Sequence, residues 1–281
     1  MVSGLDSRHA QRTVALQERC DVLLAPFEGE LQAAAAPRPG ERVLDVGCGS
    51  GTTTAILAHA VGPGGRVTAF DGDLRRLDAT RDLVTRAGLA NVRLQHGEAQ
   101  RAVFGGAPFD LVVSRFGVTS FDDHVAGFRN LAAALRRDGR LAFTCFKSPL
   151  DNPWVAEPVN VLRKLLCGWD DPASLPGIEA FALSDAAVVR ADLEAAGFVD
   201  ITIESASVSL ALGGLDGVDS AVEHVAALHG PRAMLSAAEP AQRAGALEAV
   251  RDLLSRHQHG AGVRLPGAAW VVSARAGRPV T

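Results

Sequence analysis

The run Val43-Leu44-Asp45-Val46-Gly47-Cys48-Gly49-Ser50-Gly51-Thr52 constrains this chain more than any other ten residues. A short apolar stretch meets three glycines at alternate positions, and a helical pattern follows over 52–61. Glycine accepts positive φ and lets a backbone approach a ligand without a Cβ in the way. Alone, such a loop also serves as a tight strand-to-helix turn. Its place at the first strand of an alternating pattern favours a nucleotide-type ligand, because open α/β sheets bind beyond the carboxyl ends of their strands.

That alternation is clear along the chain. Apolar runs at 43–46, 66–70, 92–95, 109–114 and 140–146 alternate with helical patterns at 52–61, 74–87 and 123–136. This rhythm predicts an α/β fold with a mostly parallel sheet covered on both faces. Ahead of it, 13–36 reads as a helix stopped by Pro37-Arg38-Pro39-Gly40. After Phe146 the rhythm breaks. Residues 148–182 hold five of the fourteen prolines, Trp154 and Trp169, and read as an insertion with a short helix at 159–166. A helix at 184–196, a long strand at 199–212, helices at 217–228 and 237–257, and a last strand at 269–274 complete the pattern.

Composition narrows the function. Apolar types make up 47% and the net charge is −4, without the basic excess of a dedicated nucleic-acid binder. The long stretch Gly47 to Gly65, without acids, lysine or arginine, holds six glycines and is no membrane span. The first residues, MVSGLDSRHAQR, lack the apolar core of an export signal, and four cysteines without a CxxC fit reduced thiols, so a cytoplasmic location is expected. His257 with His259, and His224 with His229, lack a third ligand at sensible spacing, so no metal is expected. The 26 arginines against two lysines read as genomic base bias. With no tyrosine, no phenol can act as a base.

The glycine spacing separates candidate ligands. A dinucleotide fingerprint needs G-x-G-x-x-G, but the sixth position is Thr52 counted from Gly47 and Thr54 counted from Gly49. No Gly-Lys-Ser/Thr occurs, which excludes a P-loop. Asp45, two residues before the glycines, instead places a carboxylate where a cationic group could be held. Asp71 at the second strand end can accept from a vicinal diol, and Glu98 closing the third from an amino group.

Residues 41–51, ERVLDVGCGSG, resemble the first motif of class I S-adenosylmethionine (SAM) dependent methyltransferases of the small-molecule type. The likeness continues through about residue 147 and more weakly beyond. It implies a Rossmann-like, doubly wound seven-stranded sheet with strands six and seven antiparallel. An N-terminal helical segment (1–36) would precede a methyltransferase domain (37–281), with 148–183 and 213–265 as lid or substrate insertions. The resemblance assigns SAM, with S-adenosylhomocysteine as its product, to Asp45, Gly47, Cys48, Gly49, Gly51, Asp71, Gly72, Glu98, Ala99 and Ser114. The loop that is usually Pro-Gly-Gly is here Asp138-Gly139 preceded by arginines, a departure that alters a turn and no ligand position.

For the acceptor, His9, Arg115, Phe116, Phe121, Phe146 and Trp154 are the expected contacts, and His124 the candidate base. Each has a plainer structural reading. The aromatics are equally suited to a core, His124 to an exposed first helical turn, and Arg115 to an internal carboxylate. Trp154 is the residue expected to face the acceptor from a lid. The function expected is methyl transfer to a small, fairly apolar metabolite, with no nucleic-acid or membrane partner; a homodimer stays open. A cyclase that keeps SAM intact and a SAM-binding regulatory module are the rivals.

Overall fold

The computed structural model describes residues 19–168 and 178–277. Residues 19–24 are helical, a 3-10 turn covers Ala25–Phe27, and α1 runs Glu28–Ala35. The single helix expected here is thus interrupted at Pro26, whose ring cannot continue a helical ladder. Then follow β1 (Arg42–Val46), α2 (Thr52–Val61), β2 (Arg66–Asp71), α3 (Leu74–Arg86), β3 (Val92–His96), β4 (Phe109–Arg115), α4 (His124–Ala134) and β5 (Leu135–Phe146). The second half adds α5 (Pro153–Leu166), α6 (Ala186–Ala195), β6 (Phe198–Leu212), α7 (Gly217–Ala227), α8 (His229–Ala237), α9 (Pro240–Ser255), β7 (Gln258–His259) and β8 (Gly262–Ala276).

The strands order as β3-β2-β1-β4-β5-β8-β6, with the two-residue β7 paired to β8. From β3 to β5 every pairing is parallel, and β8 is antiparallel to both β5 and β6. This is the expected doubly wound sheet, with one small hairpin strand added. The chain leaves β1 towards β2 on one side, while β4 lies on the other. A crevice opens at that switch of direction, beyond the carboxyl ends of β1 and β4. Both faces of the centre are covered: Leu31, Leu57 and Val61 of α1 and α2 meet Val43, Val67 and Leu111 on one side. Phe128, Leu131, Val189 and Leu193 of α4 and α6 meet Leu44, Val112 and Phe143 on the other.

Three boundaries differ from expectation. The helix expected to reach Arg136 ends at Ala134, and the arginine-rich stretch joins β5 through an irregularity between Phe109 opposite Leu135 and Leu111 opposite Arg140. Asp138 there has φ +58°, the turn geometry a Pro-Gly-Gly loop would otherwise supply. The last strand begins at Gly262, not Ala269, and runs through Pro266-Gly267, which in sequence reads as a breaker. Pro266 pairs opposite Ser209, in a stretch where β5 has already ended at Ala269. With no strand on its other side, a missing N–H costs little there.

The third difference concerns the insertion at 148–183. Residues 169–177 lie outside the described part. The remainder holds a helix longer than expected, α5, begun by Pro153 in the first helical position. Together with α7, α8 and α9 it encloses an apolar cluster on the protruding ends of β6 and β8, including Trp154, Leu162, Val225, Leu254 and Leu265. What is described of this segment braces a second core.

His224 of α7 is fully buried in that region, and neither ring nitrogen has a hydrogen-bond partner among the described residues. Burial, helped by the charge of Arg19, holds its pKa down at about 4. Below pH 6.5 the unfolded chain takes up a proton that the folded chain refuses, so stability falls as pH drops from 6.5 towards 4. Urea unfolding should therefore show His224→Leu losing about 2 kcal/mol less than the parent between pH 7 and pH 5. Equal losses in the two proteins would mean that His224 is solvated.

Candidate functional site

The glycine loop is held by a set of backbone bonds. The N–H groups of Gly47 and Cys48 both donate to the carbonyl of Phe70, at 2.8 and 3.1 Å, closing the end of β1 onto β2. Gly47 has φ +71°, and a Cβ on it would stand 2.7 Å from the Cα of Gly117. Gly51 starts α2 at φ +92°, where a Cβ would meet Thr80 Cγ2 at 2.8 Å. No other residue type fits either place. Thr80 Oγ1 donates to Gly49 O at 2.8 Å from the α3 side.

Asp71 ends β2 against this loop, 4% exposed. One oxygen accepts from Gly49 N at 3.0 Å and the other from Asp73 N at 2.9 Å. Each carboxylate oxygen has a second lone pair, so the residue can fix the loop and still accept from a ligand. Gly72 follows at the surface of the cleft. Glu98 closes β3, is exposed, and pairs with Arg101 at 3.0 Å. Ala99 is held by Asn130, which donates to its carbonyl at 2.8 Å.

A cavity of about 720 Å³ runs across these strand ends. Gly47, Cys48, Gly49, Asp71, Gly72, Glu98 and Ala99 line one end of it, and Arg115, Phe116, Phe121 and Phe146 line the other. Phe116 adopts φ +61°, a strained geometry for a bulky residue, and its ring stacks on Phe146 at 4.3 Å and 26°. Five acids and three arginines stand on the walls, so the cleft favours a cation. The thiol of Cys48 is buried and its pKa is pushed well up, by burial first and then by Asp45 and Asp71. It fills space and is no nucleophile at neutral pH.

Several expected residues stand elsewhere. Asp45 is 1% exposed and accepts from Thr54 Oγ1 at 2.5 Å, behind the loop and off the cavity wall. Burial raises its pKa to about 7, against the opposing hydrogen bond from Thr54. Gly51 is likewise behind the wall. Ser114 is fully buried: its hydroxyl donates to Val46 O at 2.8 Å and accepts from Val118 N at 3.1 Å. It ties β4 to β1 and stands off the cavity wall.

Trp154 is 6% exposed and its Nε1 donates to Asn152 Oδ1 at 3.1 Å. It sits beyond Phe146, ring centres 5.7 Å apart, and does not line the cavity. His124 opens α4 behind the N-cap Asp123 and is not on the described wall either. His9 lies outside the described residues.

Arg115 finds internal carboxylates. Its side chain is 7% exposed and reaches Asp21 at 2.9 Å and Glu28 at 3.4 Å. Asp21 also accepts from Ser50 in the glycine loop, and Glu28 from Thr53 Oγ1 at 2.8 Å. The helical stretch at 19–35 is thereby clamped over the loop and the end of β4. Sequence reasoning missed Asp21, Leu24, Arg76 and Gly117 on the wall. Only Gly117 left a signal, a glycine directly after the fourth strand.

Comparison with known proteins agrees with this geometry. Residues 43–139 match the family model of a methyltransferase domain. The stretch from β1 into β5 is thus similar to a methyltransferase domain. A demethylmenaquinone methyltransferase of Listeria monocytogenes is 37% identical over 103 residues, 37% of this chain and 44% of that protein. The nocamycin O-methyltransferase of Saccharothrix syringae is 34% identical over 129 residues, 44% of this chain and 45% of that one. The chain thus spans less than half the length of these relatives. The YcgJ protein of Bacillus subtilis superposes over 90% of this chain and 99% of its own with a TM-score of 0.60 at 20% identity, so the two share a fold over nearly the whole molecule.

Among the described residues no group of three or more His, Cys, Asp or Glu could hold a metal ion, and no helix is long and apolar enough to cross a membrane.

Proposed function

We propose that this protein transfers a methyl group from SAM to a small, fairly apolar acceptor. The observation that carries the reading is one cavity in which a glycine loop and two strand-end acids meet a wall of phenylalanines. When bound, SAM supplies an electrophilic methyl group on a cationic sulfur. The chain's own part is to bind and align. Asp71 accepts from the ribose hydroxyls while its bonds to Gly49 and Asp73 keep it fixed, and Gly72, Glu98 and Ala99 border the adenine. The small residues at 47–49 let the rest of the cofactor lie against the backbone. The acidic excess of the walls suits a cation, and the buried loop bonds reduce reorganisation during transfer.

Phe116, Phe121 and Phe146 offer flat apolar surface for the acceptor and exclude water from the reacting end. The relatives' names point the same way, towards a demethylmenaquinone in one case and an oxygen of nocamycin in the other. An acceptor already nucleophilic enough needs no base, only alignment against the methyl group. Incubation with SAM and candidate quinols or phenols, followed by mass spectrometry, tests this reading. S-adenosylhomocysteine should form one-for-one with methylated product. An altered acceptor with SAM intact would identify a cyclase, and binding without turnover of any acceptor a regulatory module.

A further inference from the structure

The edge of the sheet opposite the cleft carries three arginines on neighbouring strands. Arg42 of β1 stands opposite Arg66 of β2, and Thr68, two residues further on, stands opposite Arg93 of β3. Residues two apart on a strand share a face, so all three guanidinium groups leave the sheet on the same side. They line a recess of about 340 Å³, together with Thr68, Gly105 and Gly106.

The pairing of charges around this recess is uneven. Its two neighbouring acids are already committed: Glu41 holds Arg140 at 2.9 Å, and Asp110 holds Arg136 at 2.5 Å. No carboxylate among the described residues pairs with Arg42, Arg66 or Arg93. Arginine stays charged at any working pH, and like charges directly opposite on adjacent strands repel. The loop after β3 presses its backbone onto the group. Arg42 donates to Gly106 O, and a Cβ on Gly105 would come within 3.1 Å of Arg93 Nη2 and 3.2 Å of Gln95 Oε1. Gln95 in turn is fixed by Gly105 N and Val103 O, each at 2.8 Å. The recess is therefore a shaped pocket with three unneutralised cations on its walls.

We propose that this recess binds a small anion of the diphosphate type, at a site separate from the cofactor cleft. Guanidinium forks match phosphate oxygens two at a time. Two linked phosphate groups carry roughly three to four negative charges near neutral pH, the complement of three arginines. Free diphosphate and the diphosphate of a nucleotide share this chemistry. The site does not depend on the reading of the cleft.

The test is calorimetric titration of the full chain with inorganic pyrophosphate at constant ionic strength, with ADP and inorganic phosphate in parallel. Pyrophosphate should bind one-to-one and raise the melting temperature. The double variant Arg66→Gln/Arg93→Gln, altered at two exposed positions, should bind at least about tenfold more weakly and show no thermal shift, with SAM affinity unchanged. ADP binding alongside SAM would identify a nucleotide as the source, and pyrophosphate alone would identify the free anion. The proposal is overturned if the double variant binds pyrophosphate as the parent does, or if matched salt abolishes the heat.

Discussion

Replacing Trp154 with Ala should cost about 3–5 kcal/mol of stability, the range for removing a buried aromatic ring. In a chain of this size that lowers the melting temperature by roughly 10 °C. The ring is 6% exposed, packs beside Phe146 within the second apolar cluster, and its Nε1 donates to Asn152. Asn152 also accepts from Ala268 N at 3.0 Å, so the deletion loosens α5 from β8 as well. SAM affinity of the folded fraction should stay within about threefold. A melting temperature within a degree or two of the parent, with a raised acceptor KM, would show instead that the residue faces the acceptor.

The second large effect belongs to Gly47→Ala. Two backbones meet at Gly47 and Gly117, and an added methyl would lie 2.7 Å from a Cα that cannot rotate away. The φ of +71° adds strain for any residue with a side chain. Moving Gly117 would also move Phe116 and hence the apolar wall. SAM affinity should fall by roughly 2 kcal/mol or more, about thirtyfold in Kd, with the sheet intact by circular dichroism. Wild-type affinity in this variant would mean that the loop does not touch the cofactor.

What the sequence made legible followed from local rules. β1, β2 and β4 are apolar runs buried on both sides, and the glycine loop has the spacing of its family. Asp71 and Glu98 sit at strand ends because backbone geometry alone puts them there. Side-chain direction was not legible. Ser114 lies at the carboxyl end of β4, yet its hydroxyl turns to Val46 O, and Asp45 turns to Thr54. Trp154 fell in a proline-rich stretch that reads as irregular, although Pro153 serves to start a helix. The same kind of misreading hid α8, where Pro231 stands in the first turn, and the front half of β8, which contains Pro266. The clamp of Asp21 and Glu28 on Arg115 joins residues 94 positions apart in one case, beyond the reach of any local pattern.

The cleft at the ends of β1, β2 and β3 is proposed as a SAM site. Isothermal titration of the full chain with SAM, S-adenosylhomocysteine and NAD tests it most directly. Both SAM and S-adenosylhomocysteine should bind one-to-one with micromolar Kd, about 7–9 kcal/mol, and NAD far more weakly. Asp71→Asn keeps the shape but turns an amide NH2 towards one of the two backbone N–H donors it now accepts from, so SAM binding should weaken by about 1.5–3 kcal/mol. NAD binding as tight as SAM, or SAM binding that Asp71→Asn leaves unchanged, would contradict the account.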